Sequence, residues 1–269
     1  MPLGGKIIVA GCGRMGLPMA RALRAAGFDA RGFDVKPREA FGDFAPHMVD
    51  AETMRAEAET LITVVRDAAE TDALLFDVQR AATGPALKTL IVSSTLSPKY
   101  LSTIRDRAPD RLTFIDAPMS GAQIAAEERR LSFMLGGDKA ALDALQPLFD
   151  AMGTKHHRMG PFGAGMAGKV LNNYVAGAAA AGVRRALDWA PEMGLDRDRL
   201  LAMIHDSSGQ TWFGSNFNKI EFARDGYAPD NTVHILQKDV AAALDGADAP
   251  DDALGTAVIG ELRGWKPLE

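Results

Sequence analysis

Near the start of the chain, a short apolar run leads directly into a glycine-rich turn. Residues 7–10 read IIVA, residues 11–16 read GCGRMG, and an amphipathic helical pattern follows. A strand, a glycine turn and a helix in this order form the site that binds the pyrophosphate of a dinucleotide. In such a site Gly11 permits the tight turn, Gly13 lets the backbone approach the phosphates, and Gly16 lets the helix pack closely on the strand. The partial positive charge and unpaired N–H groups of the helix N-terminus then attract the anion.

The second apolar stretch supports the same interpretation. Residues 30–33 lead into Asp34, which lies 21 residues beyond Gly13. A carboxylate at this spacing accepts hydrogen bonds from the hydroxyls of the adenosine ribose and repels a 2′-phosphate. The sequence therefore predicts an NAD site, with NADP disfavoured. The alternative is an ordinary βαβ unit with an aspartate on its surface.

Length, composition and charge limit the remaining possibilities. A chain of 269 residues exceeds the usual size of a single core, which favours two domains. Its hydrophobic content of 47% and charged content of 24% are typical of globular proteins. The formal net charge of −5 provides no basic field for a nucleic-acid backbone, although a few local cations can still bind a small anionic substrate. The alanine-rich stretch 174–190 contains Arg184 and Arg185 and is therefore not a membrane span.

The single cysteine and the N-terminal residues bear on the location of the protein. Cys12 has no second cysteine to pair with, which fits a reducing compartment, and its place between two glycines indicates a small packing residue. The first strand already begins at Lys6, with no targeting sequence before it. We therefore expect a cytoplasmic protein.

Strand-like and helix-like segments alternate over the first part of the chain. Apolar runs lie at residues 61–65, 90–92, 112–115 and 131–135, with helical patterns such as 68–80 and 140–151 between most of them. This alternation predicts an α/β fold with a mostly parallel, Rossmann-type sheet that helices cover on both faces. A glycine–proline cluster at residues 160–163 interrupts the pattern.

The chain beyond this cluster has a helical character. One long alanine-rich helical pattern runs from Ala164 to Met193 and is closed by Gly194, and no convincing strand follows it. We therefore predict an NAD-binding Rossmann domain over residues 1–160. Residues 161–269 are predicted to form an all-helical substrate and dimerisation domain that begins with a long inter-domain helix.

Two further segments carry polar side chains of the kinds that handle substrates. Residues 116–121 read DAPMSG and follow a predicted parallel strand at its carboxyl end, where ligands gather in open α/β sheets. Ser120 offers a hydroxyl and Gly121 a backbone N–H to a carboxylate, although a plain Pro–Gly turn is the alternative. Lys169 and Asn173 are four residues apart and so share one helix face. A solvated surface lysine is the default interpretation, but a lysine and an amide that project together from an alanine-rich helix favour a functional role.

A third segment, QKD at residues 237–239, lies in an amphipathic helical pattern and by itself predicts a charge pair. Taken together, the motifs resemble the β-hydroxyacid dehydrogenase family, which includes 3-hydroxyisobutyrate dehydrogenases. The motifs that carry the resemblance are residues 11–19, Ser94-Thr95, residues 116–121, residues 163–173 and Lys238-Asp239. They occur in the family's order and span nearly the whole chain.

This resemblance implies a role for each motif. The catalytic set would be Lys169, Asn173 and Ser120, with Lys169 as the catalytic lysine. Asn173, Ser120 and Gly121 would hold the substrate and its carboxylate. The cofactor contacts that the resemblance implies are Gly11, Gly13, Arg14, Met15, Gly16, Asp34, Val65, Arg66, Thr95 and Lys238. A homodimer or homotetramer would be the assembly.

One departure from the family concerns the cofactor side of the predicted site. Many members carry a proline after the strand that ends here at Val65, whereas this chain has Arg66-Asp67. We expect altered backbone contacts to the cofactor at this point, and Arg66 is a candidate for an additional cation near the site.

The chemistry implied by the resemblance needs a group that handles a proton. Oxidation of a β-hydroxy acid removes a hydroxyl proton while a hydride leaves carbon for the nicotinamide. The five histidines and one cysteine form no zinc-ligand pattern, so we expect no metal. Lys169 can take this role if its pKa, about 10.4 in a free side chain, falls toward the working pH. Burial and a second cation such as Lys238 would lower it.

The residues leave open the direction of the reaction and the class of protein. A reductase acting on glyoxylate or succinic semialdehyde would use the same side chains in reverse. A non-catalytic, dinucleotide-binding redox sensor is the alternative outside enzymes, although a sensor has no need of Lys169 as a proton shuttle. We therefore predict an NAD-dependent dehydrogenase for a small β-hydroxy carboxylate, with no nucleic-acid or membrane partner.

Overall fold

A computed structural model describes residues 5–268, and these residues belong to two compact units. The chain passes from the first unit to the second after Lys169, inside a long helix. The predicted domain boundary at residues 160/161 lies just before that helix begins at Ala164. The substrate and dimerisation roles assigned to the second domain stay predictions.

The first unit is built on an eight-stranded sheet. Its strands are β1 Ile7–Ala10, β2 Ala30–Phe33, β3 Thr60–Thr63, β4 Thr89–Val92, β5 Thr113–Asp116, β6 Met119–Ser120, β7 Leu131–Gly137 and β8 Gly153–Gly160. The order in the sheet is β2-β1-β3-β4-β5-β7, and both β6 and β8 pair with β7. All pairs from β2 to β5 are parallel, which confirms the predicted, mostly parallel Rossmann-type sheet.

Helices cover both faces of this sheet. They are α1 Gly16–Ala25, α2 Ala51–Glu57, α3 Ala68–Asp72, α4 Pro98–Arg107, α5 Ala122–Glu127 and α6 Lys139–Met152, with 3₁₀ turns at Arg38–His47 and Ala81–Thr83. Alternate residues of β1 pack into different apolar clusters, because successive side chains of a strand point to opposite faces. Ile7 and Val9 join one cluster with Leu23 of α1, and Ile8 joins the other with Leu101 of α4. The strand is therefore apolar throughout, as parallel strands buried on both faces are.

Three elements of the first unit differ from the prediction. Strand β7 runs antiparallel to β5 and β6, so the sheet is mixed at this edge. Strand β8 lies outside the predicted apolar runs, because its sequence GTKHHRMG is polar and most of it is exposed. The helical pattern at residues 68–80 is also too long. Helix α3 passes into a wider π-helical turn that ends at Asp77, and Arg80 then adopts a left-handed φ of 53°.

The second unit is helical, and its described residues, 170–268, contain no strand. Helix α7, Ala164–Trp189, ends four residues before the predicted end at Met193, and the chain turns at Gly194 with a φ of 73°. The remaining helices are α8 Arg197–His205, α9 Trp212–Ser215, α10 Thr232–Gly246 and α11 Ala253–Arg263, with a 3₁₀ turn at Phe217–Lys219. These helices confirm the predicted C-terminal helical region. Within residues 5–268, no helix has both the length and the apolar character needed to cross a bilayer.

A buried arginine ties the core of the second unit together. Arg184 on α7 is 1% exposed, and its guanidinium donates hydrogen bonds to the carbonyls of Ala223 (2.6 Å), Asp225 (3.0 Å) and Lys266 (2.7 Å). The guanidinium also lies over the Trp265 ring, 4.4 Å from its centroid. The sequence analysis did not predict this structural role of Arg184. Its partners are backbone carbonyls 39 to 82 residues further along the chain, and no local sequence pattern indicates them.

Replacement of Arg184 is therefore expected to destabilise the second unit strongly. In Arg184→Met three carbonyls lose their donor, the one of Ala223 at a buried position, and the free energy of unfolding should fall by about 3 kcal/mol. Arg185→Met is the matched control, because the neighbouring arginine pairs with Glu261 at the surface. Urea unfolding followed by circular dichroism measures both variants, and equal losses in the two would contradict this role of Arg184.

Candidate active site

The glycine turn between β1 and α1 has the geometry that close backbone approach requires. Gly11 has a φ of 97°, and a Cβ there would lie 2.5 Å from the carbonyl oxygen of Val64. A Cβ on Gly16 would collide with the carbonyl oxygen of Gly11, so only glycine allows α1 to start this close to the strand. Gly13 is different, because a Cβ there would meet no atom within 4 Å. Its exposed backbone is open to a ligand, as the motif predicts.

Cys12, between the first two glycines, is a packing residue. Its side chain is 4% exposed and belongs to an apolar cluster, and its thiol faces the carbonyl oxygen of Val9 at 3.5 Å. Burial, together with the nearby Asp34 carboxylate, raises the pKa of the thiol to about 12. At neutral pH the side chain is therefore a neutral thiol with little nucleophilic character.

The turn after β2 carries the predicted ribose-binding carboxylate. Asp34 is half-buried, and its Oδ1 accepts a hydrogen bond from the backbone N–H of Lys36 at 3.0 Å. Nearby, a cavity of about 910 Å³ is lined in part by Gly13, Arg14 and Lys36. The exposed Arg14 and Lys36 side chains supply positive charge to this part of the cavity, whose lining also includes Asp43 and Glu127. The arrangement suits an anionic ligand at the glycine turn.

The ends of β3 and β4 provide the next predicted cofactor residues. The backbone N–H of Val65 donates to Oγ of the buried Ser94 at 2.9 Å, which links the two strand ends next to the half-buried Thr95. Arg66 is exposed and pairs with Glu70 through its backbone N–H (2.9 Å) and its Nε (2.6 Å). Arg66 thus forms an exposed ion pair with this neighbour, and its role as an additional cation near the cofactor stays a prediction.

The segment DAPMSG connects β5, β6 and α5. Ser120 pairs with Ser132 of β7, and the N–H of Met134 donates to the carbonyl oxygen of Pro118 at 3.0 Å. Gly121 has a φ of 132° at the start of α5, a conformation that strongly favours glycine. The segment is thus a fixed loop that presents the half-buried Ser120 and the exposed Gly121, and the plain-turn alternative does not account for this pairing with β7.

Asp116, the first residue of that segment, has a structural role that we did not predict. Its side chain is fully buried, and its two oxygens accept hydrogen bonds from the backbone N–H groups of Gly163 (2.7 Å) and Met166 (2.5 Å) at the start of α7. Burial raises the pKa of the carboxyl group, and these N–H donors oppose that rise. No local sequence pattern indicates these contacts, because the partners lie 47 and 50 residues further along the chain.

Lys169 is the last residue of the first unit, and it lies on α7 three residues after Met166. Its side chain is 8% exposed. The default interpretation of a solvated surface lysine is therefore wrong. A lysine that is nearly excluded from water is uncommon and is a candidate for function.

The second unit contains the other predicted polar group. Asn173 lies one turn beyond Lys169 on α7, and its Nδ2 donates to Oδ2 of Asp239 at 2.6 Å. Asp239 is 2% exposed, and its Oδ1 lies 3.0 Å from Nζ of Lys238. The predicted charge pair on α10 is present, and its carboxylate also fixes the orientation of the Asn173 amide. We did not predict that second contact.

The predicted site residues fall into groups that can be described within each unit. The glycine turn, Val65, Thr95 and the DAPMSG segment all follow parallel strands at their carboxyl ends, and neighbouring strands place them along one edge of the sheet. Asn173, Lys238 and Asp239 form a group within the second unit. In residues 5–268 there is no group of three or more His, Cys, Asp or Glu side chains placed to hold a metal ion.

Comparison with known proteins identifies the family. A family model described as the NAD binding domain of 6-phosphogluconate dehydrogenase matches residues 6–160. A second, described as NAD-binding of NADP-dependent 3-hydroxyisobutyrate dehydrogenase, matches residues 163–259. The chain belongs to the β-hydroxyacid dehydrogenase family. The dehydrogenase is thus an oxidoreductase of CH–OH groups with NAD(P)-binding domains.

Individual relatives cover most of the dehydrogenase. It is 30% identical over 256 residues to the NAD-dependent L-serine dehydrogenase of Pseudomonas aeruginosa, and the aligned region covers 91% of this chain and 86% of the relative. The L-threonate dehydrogenase of Cupriavidus necator is 30% identical over 247 residues, covering 89% of this chain and 82% of the relative. Among solved structures, 3-hydroxyisobutyrate dehydrogenase of Mycobacterium tuberculosis with L-serine has a TM-score of 0.78 at 28% identity, covering 95% of this chain and 91% of that chain. Psf3 in complex with NADP⁺, at 18% identity and a TM-score of 0.78 over 97% and 96% of the two chains, shares the fold.

The packing at Gly16 leads to a test of the glycine turn. In Gly16→Ala the new methyl group collides with the Gly11 carbonyl and displaces the start of α1, so the Kd for NADH should rise roughly tenfold or more. Gly260→Ala, on the exposed side of α11, meets no atom within 4 Å and serves as the control with unchanged NADH affinity. Tryptophan or NADH fluorescence titration measures both, and unchanged affinity in Gly16→Ala would contradict the assigned role of the turn.

Proposed function

We propose that the enzyme interconverts a small β-hydroxy carboxylate and its semialdehyde or keto form with NAD, and that Lys169 is the general acid and base. The observation that carries the proposal is the burial of this lysine, 8% exposed, near the start of a helix that Asp116 holds at the carboxyl edge of the sheet. Ligands of open α/β sheets gather at that edge. Hydride transfer is the chemistry that a bound nicotinamide supplies.

Lys169 would handle the proton that accompanies the hydride. In the direction of oxidation its neutral amine accepts the hydroxyl proton, and in the direction of reduction its ammonium returns that proton to the carbonyl oxygen. The same side chain therefore serves both directions, and a semialdehyde reductase would need no different machinery.

Asn173 and Ser120 would orient the substrate. With one N–H of the Asn173 amide committed to Asp239, the second N–H is available to a substrate oxygen. The Ser120 hydroxyl and the backbone N–H of Gly121, at a fixed loop next to β7, are suited to a carboxylate. A protein that only sensed a dinucleotide would need none of these side chains.

The class of substrate is supported by the names of the relatives. L-serine, L-threonate and 3-hydroxyisobutyrate, which name three of the relatives, are all small carboxylates with a hydroxyl group two carbons from the carboxyl carbon. For this enzyme we propose a substrate of the same class. Absorbance at the NADH band, followed in both directions over a panel of such hydroxy acids and their aldehydes, tests the class and the preferred direction. Binding of NADH without turnover of any of them would favour the redox sensor.

The role of Lys169 is tested by its removal. Lys169→Ala should lower kcat by roughly a hundredfold or more, since positioned acid–base groups contribute on that order, while NADH still binds. Lys155→Ala removes an exposed lysine of β8 and is the control. A Lys169 variant that keeps most of its kcat would show that another group is the acid and base.

Asp34 tests the choice of cofactor. Its carboxylate should favour the free 2′-hydroxyl of NAD and repel the 2′-phosphate of NADP, so Asp34→Ser should reduce the preference for NAD roughly tenfold. Asp29→Ser removes an exposed carboxylate just before β2 and should leave the preference unchanged. The ratio of kcat/KM for NAD and NADP measures the effect, and a wild-type enzyme that prefers NADPH would contradict the assignment.

A further inference from the structure

We propose that Asp116 is a positioning residue for the reaction: its buried carboxylate fixes the first turn of α7 and thereby the place of Lys169 relative to the Ser120 loop. The proposal rests on the catalytic role proposed for Lys169. Asp116 itself is one of the few carboxylates of the described chain that are completely buried, and nothing in the proposed proton transfer uses it.

The contacts of the carboxylate show what it holds. Oδ1 accepts from the N–H of Gly163 and Oδ2 from the N–H of Met166, at 2.7 and 2.5 Å. The first N–H groups of a helix have no partner within the helix, and here a distant strand end supplies one. A negative charge at this end of a 26-residue helix is also favoured by the helix dipole.

Two glycines make this contact possible. A Cβ on Gly136 of β7 would collide with Oδ1 of Asp116. A Cβ on Gly165 of α7 would lie 2.9 Å from Oδ2 and would also collide with the carbonyl oxygen of Met134. The strand, the carboxylate and the helix are therefore in direct contact with no side chain between them, and this leaves little freedom for the start of α7 to shift.

The same strand also holds the proposed carboxylate-binding loop. Asp116 pairs with Gly136 of β7, and Ser120, four residues later, pairs with Ser132 of the same strand. On the other side of the contact, Lys169 follows Met166 by three residues, slightly less than one helical turn. The carboxylate thus links the end of β5, which leads into the loop of Ser120, to the first turn of the helix that carries Lys169.

The test compares two aspartates that cap helices in the same unit. Asp116→Asn removes the negative charge. One of the two backbone N–H groups then faces the amide N–H₂, which cannot accept a hydrogen bond, and the other faces the amide oxygen, a weaker acceptor than a carboxylate oxygen. Asp138→Asn removes the charge of the N-cap of α6, where Oδ1 accepts from the N–H of Ala141 at 3.0 Å, and α6 carries no proposed site residue. Asp116→Asn should melt at a lower temperature than the wild type, because its site is buried, whereas Asp138→Asn keeps an N-cap acceptor and should melt close to the wild type. Only Asp116→Asn should lose kcat, by about a hundredfold, with KM and the Kd for NADH little changed.

Each other outcome has a defined meaning. If Asp116→Asn keeps the kcat of Asp138→Asn while Lys169→Ala is inactive, the positioning role is wrong and the proposed function stands. If kcat and NADH affinity fall together in Asp116→Asn, the aspartate is merely structural and the proposal is overturned. If Lys169→Ala is active, the proposed function fails, and the positioning role fails with it.

A second pair of variants keeps the proposal testable if Asp116→Asn does not fold. Gly163 has a φ of 99° and open space where a Cβ would lie, so Gly163→Ala strains the backbone that donates to Asp116 without filling the core. Gly27→Ala introduces the same kind of strain at a φ of 90° in the turn after α1, again with open space. A selective loss of kcat in Gly163→Ala supports the proposal, and equal activity of the two variants overturns it.

Discussion

The contact between the Asp116 carboxylate and the first turn of α7 is the constraint on which the arrangement of the first unit depends. It joins the end of a central strand to the start of the helix that carries Lys169, and glycines at positions 136 and 165 leave room for it. A buried charge is costly unless hydrogen bonds satisfy it, and here backbone N–H groups do so. Because the partners are backbone groups, the contact fixes the path of the chain as well as one side chain.

The topology of the sheet determines where the other candidate site residues of the first unit lie. Parallel neighbours from β2 to β5 place every strand-to-helix turn on one edge, so the glycine turn, Asp34, Thr95 and the DAPMSG segment follow from a single topology. The antiparallel strand β7 lies beside β5 at the end of this row. Both Asp116 and Ser120 pair with residues of β7. The residues of the first unit that we propose to bind cofactor and substrate thus follow different strands of one sheet.

Features that depend on local pattern could be predicted from the sequence. Glycine spacing, apolar runs and the alanine-rich helix predicted the Rossmann-type sheet, the turn and the helical second unit. The features that depend on distant contacts could not be predicted: the hydrogen bonds of Asp116 to Gly163 and Met166, and those of Arg184 to carbonyls 39 to 82 residues away. Strand β8, an exposed and polar edge strand, lies outside the apolar runs, and the ion pair of Arg66 with Glu70 is a contact that we did not predict.

The central claim is that Lys169 exchanges a proton with the substrate oxygen, and a crystal structure of the enzyme with NADH and a non-reacting β-hydroxy carboxylate tests it most directly. We expect Nζ of Lys169 to lie about 3 Å from the hydroxyl oxygen, with the substrate carboxylate at Ser120 and Gly121. A structure in which Nζ contacts solvent or protein groups alone, while the substrate hydroxyl is bound by another side chain, would contradict the claim.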